Sequence, residues 1–333
     1  MLYVRPRKVV LDICTLCQLN CLDCYMRTRK IGRLVWEAPS VGNGYLKFEK
    51  FKKFIDENDF VKEIELSNCG EFFLNPDLEK MMEYAFQKGV RLCAWTGANM
   101  NDVSDRVCEA LVKYQFSGIN VSIDGASDEV YKIYRRNGNF TKVINNIKKV
   151  LSYREKYHSR LPVIRWNYIV MESTQDISEI QKAKKMAKDL GIEIIFRKTY
   201  NDTFSPKDPD AIEKETGLVY KNVALSDISK RFNYKFPSTY CIQFFTEPRI
   251  NWDGRLFGCC CNQGGWDINV FEVGLEKALS SARVQYARKM LMNKAPIREC
   301  GPCSHCWEME KMVKENAYVT EKEIQDLLRY FFA

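Results

Sequence analysis

Residues 14–25 read Cys14-Thr15-Leu16-Cys17-Gln18-Leu19-Asn20-Cys21-Leu22-Asp23-Cys24-Tyr25. The last three of the four cysteines, Cys17, Cys21 and Cys24, have the spacing C-x3-C-x2-C. Three thiolates on so short a loop can hold three irons of a [4Fe–4S] cube and leave the fourth iron to an outside ligand, whereas closed clusters take four cysteines. Zinc is the competing reading, because Cys14 extends the run to C-x2-C-x3-C-x2-C. Zinc ribbons separate their two pairs by roughly 15–20 residues, and a three-residue gap leaves little room around a tetrahedral ion. The cluster reading is preferred, with Cys14 expected as the last residue of a strand, packed as a small hydrophobe.

Working outward, Val9 to Ile13 reads as a strand and the cysteine loop follows it directly. A loop rich in Gly, Pro and Ser comes next, through Pro39, Gly42 and Gly44. Phe48, Phe51, Phe54 and Ile55 then recur at helical spacing. Further strands are expected at 64–66, 90–95, 118–123, 162–170 and 192–196. Helices are expected at 48–59, 75–86, 103–114, 128–134, 140–157 and 177–190, two of them closed by Gly89 and Gly191. Strand and helix thus alternate, which predicts βαβ units and a parallel sheet. Function then gathers at the carboxyl ends of the strands. The cysteine loop, Gly70-Glu71 and Asp124-Gly125 all follow strands directly, so they are expected on one rim. From Asn201 to Thr239 the pattern breaks, and Asp202, Pro206, Asp208, Pro209 and Asp210 read as a polar connector.

The 333 residues suit one large domain and a smaller one. The 14 cysteines, with no secretory pattern at the N-terminus, argue for metal or redox use in a reducing cytoplasm rather than a disulfide framework. No apolar run reaches the length of a membrane span. The net charge is +8, but the basic residues are scattered along helices such as Lys182, Lys184, Lys185 and Lys188, so nucleic-acid binding is not expected. With only His158 and His305 present, histidine acid–base chemistry is not the design.

The last hundred residues hold Cys241, Cys259, Cys260, Cys261, Cys300, Cys303 and Cys306. Asp253-Gly254, flanked by Ile250 and by Leu256 and Phe257, predicts a β-hairpin. Such a hairpin brings Cys241 and Cys259 together, and a later C-x2-C supplies two more thiolates for a closed site. A structural zinc is the plain alternative.

The C-x3-C-x2-C loop resembles the signature of the radical S-adenosylmethionine (SAM) superfamily, and C-x12-G-x4-C from Cys241 through Gly254 to Cys259 resembles the opening of its SPASM domain. With no cysteine after Cys306, the C-terminal part is similar to the shortened Twitch form with one auxiliary [4Fe–4S] cluster. The resemblance implies a partial (β/α)6 TIM-like barrel at 1–200, a connector at 201–238 and an auxiliary-cluster domain, hairpin plus helix, at 239–333. It implies that Cys17, Cys21 and Cys24 hold the SAM-binding cluster. Auxiliary ligands would be Cys241, Cys259, Cys303 and Cys306, with Cys260 or Cys300 as alternates; Pro302 and Trp307 flank the preferred pair as in family members. Asn68-Cys69-Gly70-Glu71 resembles the segment that receives the methionine amino group. Asn120 to Gly125 resembles the fourth-strand segment, in which Ser122, with Asp124 beside it, and Arg135 downstream would hold the carboxylate. An arginine fork suits a carboxylate.

The implied chemistry is reductive cleavage of SAM to a 5′-deoxyadenosyl radical that abstracts hydrogen from a substrate C–H bond, with electrons from a flavodoxin or ferredoxin. Dehydrogenation or epimerisation of a sugar- or aminocyclitol-type small molecule is the first expectation. Maturation of a ribosomally made peptide, by epimerisation or cross-linking, is the second; a cluster loop beginning at residue 14 weakens it. A non-enzymatic electron carrier or zinc-stabilised module is the third. Candidate hydrogen donors are Cys69, Cys260 and Cys261, one of the latter pair being expected at the barrel mouth, whereas Cys93 and Cys108 read as core.

Overall fold

The structure, a computed structural model, describes residues 5–24, 26, 29–31, 34–36, 41–199, 202–220, 239–262 and 264–330. Its centre is a parallel sheet of seven strands. In chain order they are β1 (Lys8–Leu11), then β4 (Glu63–Glu65), β5 (Arg91–Ala98), β6 (Gly118–Ser122), β7 (Val163–Val170), β8 (Glu193–Lys198) and β9 (Arg249–Ile250); β2 (Arg29–Ile31) and β3 (Leu34–Trp36) form a separate antiparallel pair. The spatial order is β8-β7-β6-β5-β4-β1-β9. Six strands therefore lie side by side in chain order, as successive βα units dictate, because each crossover returns to the neighbouring position. Register runs Val9↔Ile64, Ile64↔Leu92, Ala94↔Ile119, Val121↔Trp166 and Trp166↔Ile194.

The crossover helices bury one apolar stripe each. Phe51, Phe54 and Ile55 of α1 (Phe48–Glu57) and Val143, Ile144, Ile147 and Val150 of the helix Phe140–Lys156 face the core. Each such side chain contributes about 1.5–3 kcal/mol on burial. Side-chain caps fix the starts: Ser104 accepts from Val107 N, Ser127 from Val130 N, Asn139 from Lys142 N, and Asp176 from Ser178 N and Glu179 N.

Three features differ from the sequence expectation. First, β2 and β3 pair within the stretch read as loop; Pro39 lies outside the described residues. Second, the polar connector contains a helix, Pro209–Thr216. Asp208 caps it and Pro209 occupies its first turn, a pattern that starts helices as well as turns; residues 221–238 of the connector lie outside the described residues. Third, the Asp253-Gly254 hairpin keeps its cross-strand bonds, Phe257 N to Arg249 O at 2.8 Å and Asn251 N to Arg255 O at 2.9 Å, but only Arg249–Ile250 of its first arm is regular strand. Gly254 has φ +95 and donates to Asn251 O at 2.9 Å, and Ile250 bridges Leu256. The first arm of that turn is β9, which pairs with β1 as Val10↔Arg249 and Leu11↔Ile250. The C-terminal segment is thereby sewn to the edge of the main sheet, and one apolar core runs from Val9 to Leu327. Among the described residues no helix is long and apolar enough to cross a membrane.

Candidate active site

The loop after β1 is held at the sheet's carboxyl rim by backbone bonds. Thr15 N donates to Gly44 O at 2.9 Å, Asn20 N to Arg136 O at 2.9 Å, and Leu22 N to Tyr134 O at 3.2 Å. From the other side, Glu71 N donates to Leu16 O at 2.7 Å. Gly70 makes this approach possible. It sits at φ +74, and a Cβ there would lie 2.5 Å from Cys14 O and from Thr15 backbone atoms.

Between these segments opens a cavity of about 870 Å3. Cys17, Cys21, Cys24 and Gly70 line it, with Thr15, Gln18, Asn20 and Asn43 as polar wall. Cys14 is fully buried and off that wall. Burial, then the Glu71 carboxylate, pushes the Cys17 thiol up to about 12, and Cys21 and Cys24 add to the shift. Thiolates so placed repel one another, and a bound cation reverses the sign of that interaction. Among the described residues no three Cys, His, Asp or Glu side chains already converge as metal ligands.

Arg135 connects the loop to the strand ends. Its Nε donates to Asp124 Oδ2 at 2.6 Å, and its Nη1 lies 3.8 Å from Cys21 Sγ. Burial opposes its charge, but Asp124 and Cys21 hold its pKa above the ordinary arginine value. Asp124, fully buried, also accepts from Ile169 N at 2.7 Å; burial raises its pKa against Arg135. Ser122 ends β6, nearly buried, and is not on the cavity wall.

Gly70 lines the cavity, and Glu71 beside it is buried. Glu71 Oε2 accepts from Asn99 N at 2.6 Å, while Oε1 is buried without a hydrogen-bond partner. Burial drives its pKa up to about 7 against the hydrogen bonds from Asn99 and Phe73. Asn99 is the residue the sequence reading missed. Its Nδ2 lies 3.7 Å from Cys17 Sγ, and its Oδ1 accepts from Gln18 Nε2 at 3.2 Å. The strand before it, expected to end at Trp95, runs on to Ala98 and delivers Asn99 to the rim.

Cys69 is also placed differently from a hydrogen donor in an open site. It is buried, and its Sγ accepts from Arg249 Nη2 at 2.8 Å. Arg249 Nε donates to Asp12 Oδ2 at 2.8 Å, and Asp12 Oδ1 accepts from Cys69 N at 2.9 Å. No sequence pattern signals this buried triad, since its members lie up to 237 positions apart.

The second cysteine group surrounds an enclosed cavity of about 20 Å3. Cys241, Cys259, Cys261, Cys303, Cys306 and Glu308 line it, with Phe244, Leu291 and Met309 as apolar walls. Cys241 sits on a turn capped by Thr239, whose Oγ1 accepts from Cys241 N at 3.2 Å. Cys306 is the N-cap residue of the helix Trp307–Lys314, and its carbonyl accepts from Met309 N at 2.9 Å. Burial, opposed by the hydrogen bond with Thr239 and aided by repulsion from Cys259 and Cys306, pushes Cys241 up to about 12; burial and its thiol neighbours raise Cys303 as well. The donor set suits a thiophilic centre. Both expected alternates fall outside: Cys260 is exposed, and Cys300 turns to Met290 Sδ at 3.5 Å. Of Cys260 and Cys261, one of which is expected at the barrel mouth, Cys261 lines this cavity.

The site is thus a cysteine-lined cavity on the carboxyl rim of the parallel sheet of an α/β fold. More particularly, residues 12–174, just under half of the chain, match the model of the radical SAM superfamily. No curated protein matches the chain. Among solved structures, SuiB from Streptococcus suis bound to precursor peptide SuiA is 13% identical with a TM-score of 0.60, covering 96% of this chain and 76% of that one. SuiB bound to S-adenosylmethionine is 13% identical with a TM-score of 0.59, covering 95% and 74%. Native anSMEcpe with bound AdoMet is 12% identical with a TM-score of 0.55, covering 84% and 81%. At these identities the likeness is one of fold.

Proposed function

We propose that this radical SAM enzyme abstracts hydrogen from a C–H bond of a sugar- or aminocyclitol-type small molecule and oxidises or epimerises it with the help of an auxiliary [4Fe–4S] cluster in a Twitch-like C-terminal unit. The observation that carries the reading is the pair of cysteine cavities, one open with three thiols and one enclosed with five. Cys17, Cys21 and Cys24 would hold the first cluster; Cys241, Cys259, Cys303 and Cys306 would hold the second. When bound, these groups supply a 5′-deoxyadenosyl radical at the open site and a one-electron acceptor at the enclosed one.

The chain's own residues do the rest. The Gly70 backbone offers polar groups to the methionine ammonium. Arg135, fixed by Asp124, faces its carboxylate with Ser122 nearby. Asn99 donates toward Cys17 and, through Glu71, locks the segment after β4 against the loop. The amide and hydroxyl groups of Gln18, Asn20, Asn43 and Thr15 on the cavity wall match a polyol, which is read by many neutral hydrogen bonds. A flavodoxin or ferredoxin is the expected electron donor.

The second reading is peptide maturation, favoured by the fold likeness to SuiB in its complex with a precursor peptide. Deuterium transfer decides between them. Anaerobically reconstituted protein should move deuterium from a labelled polyol into 5′-deoxyadenosine. Transfer only from labelled peptide would overturn the small-molecule reading, and failure to cleave SAM at all would overturn both.

A further inference from the structure

One wall of the open cavity is held from the far end of the chain. Val41, Gly42 and Asn43 line that wall. Val41 O accepts from Asn251 Nδ2 at 2.8 Å and from Trp252 Nε1 at 2.9 Å, donors 210 and 211 positions downstream on the turn after β9. Two donors occupy both lone pairs of that carbonyl and fix its direction. The indole also packs on the glycines that follow. A Cβ on Gly44 would meet the Trp252 ring at 2.5 Å, and one on Gly42 would meet it at 3.6 Å. Gly42 has φ +71, but Gly44 is not left-handed, so what requires glycine at 44 is room for the ring. Thr15 holds the other side of the segment. Its N donates to Gly44 O at 2.9 Å, its Oγ1 donates to Gly42 O at 2.9 Å, and Gly44 N donates to that Oγ1 at 3.1 Å. The segment 41–44 is therefore gripped between the loop that carries the open-site cysteines and the C-terminal unit.

Resting on the open SAM site proposed above, we infer that Trp252, with Asn251, is a positioning residue of that site: through direct contact, and not through any cluster, the C-terminal unit sets the wall that carries Asn43. Neither side chain lines the cavity, so each acts through the segment it holds. The effect is pre-organisation. Glycines are the residues whose backbone freedom costs most to remove. A segment bonded on both sides has already lost that freedom before a ligand arrives, and the saving appears as affinity. Gly42 and Asn43 share the cavity with Cys17, Cys21 and Cys24, which makes SAM itself the probe.

The test is equilibrium dialysis of SAM against the anaerobically reconstituted full chain, with iron counted and hydrogen exchange of residues 41–46 followed in parallel. Trp252→Ala should keep the wild-type iron content, speed exchange at the Gly44 amide and weaken SAM binding by about tenfold. Trp252→Phe keeps a ring without the N–H donor and should fall in between. Gly44→Ala drives a methyl group into the indole and should weaken binding as Trp252→Ala does. When Gly44→Ala is combined with Trp252→Leu the methyl group has room, so binding should be no weaker than in Trp252→Leu alone. Fully additive losses would mean that the two residues act separately, and the clamp would be overturned. Faster exchange with unchanged SAM affinity overturns it too, as does loss of iron from Trp252→Ala. Wild-type protein that binds no SAM would instead remove the site on which the inference rests.

Discussion

The two cysteine groups are built from the same residue type and face opposite demands. The N-terminal group sits on a loop at the sheet rim, beside a cavity of about 870 Å3, with nitrogen donors from Arg135 and Asn99 near its sulfurs. The C-terminal group closes on about 20 Å3, walled by Phe244, Leu291 and Met309. A site that must admit a cosubstrate keeps one side open and spends its polar groups on orientation. A site that only carries electrons or stabilises the fold shuts water out. The backbone that carries the cysteines makes the difference: a loop pinned at its edges in the first case, and capped turns and a helix N-terminus in the second.

The sharpest way to break that comparison is to remove one ligand from each side. Cys17→Ala should abolish reductive cleavage of SAM, lowering 5′-deoxyadenosine formation by about 10³-fold or more, the scale on which loss of a cofactor-holding group acts. Cys241→Ala should keep SAM cleavage and uncouple it, so that 5′-deoxyadenosine forms without product. If Cys241→Ala silences SAM cleavage as completely as Cys17→Ala, the two sites are not separate in function.

Next in size is the tie between the halves. Arg249, on the strand contributed by the C-terminal segment, is buried against Asp12 and Cys69 from the N-terminal half. Arg249→Met leaves the Asp12 carboxylate uncompensated in the core and should cost about 3–5 kcal/mol in denaturant unfolding. Asp12→Asn added to Arg249→Met should recover part of the loss, because the stranded charge is gone. A double variant no more stable than the single one would mean that packing of the guanidinium on the Phe257 ring, 4.6 Å away, matters more than its charge.

Much of this was legible in the chain, and the reasons for the misses are physical. The six βα units announce themselves because the strands carry short apolar runs and the helices an apolar stripe, most with a cap, so local pattern and tertiary burial agree. The three rim cysteines stand out by spacing alone. By contrast, β9 has two residues, too few to show any period, and exists because the edge of β1 offers it partners. The helix at 209–216 was hidden by its charge, although Asp208-Pro209 marks its start. Arg249 and Glu308 carry no local signature, since what makes them matter is where distant segments pack. Glu71 was found by resemblance, but its bond from Asn99 N could not be read from the chain, because the partner lies 28 residues away on another strand's end.

Glu71 yields a pH test on the open side. Its folded-state pKa of about 7 exceeds its ordinary 4.5, so between those values the folded protein holds a proton that the unfolded chain has released. Stability therefore falls as pH rises from about 4.5 to 7 and levels off above, by at most roughly 3 kcal/mol. Glu71→Gln should flatten that slope in unfolding experiments, while Glu308→Gln at the enclosed site serves as a control. A wild-type protein whose stability is level across that window would mean that Glu71 is ionised throughout.

The smallest effect expected is also the finest probe of how the open site differs from the closed one. Arg135 makes two contacts at once, with Asp124 Oδ2 through Nε and toward Cys21 Sγ through Nη1. A lysine can keep the positive charge beside Asp124 but cannot span both directions with a planar fork. Arg135→Lys should therefore leave the fold and the iron content intact and weaken SAM binding by about tenfold, or roughly 1.4 kcal/mol, measured by equilibrium dialysis of reconstituted protein. The auxiliary cluster's electron paramagnetic resonance signal should not move, since Arg135 is not among the residues lining the enclosed cavity. Unchanged SAM affinity would reduce the Arg135–Asp124 pair to a strut between the cysteine loop and β6, and the carboxylate grip would then have to come from elsewhere on the rim.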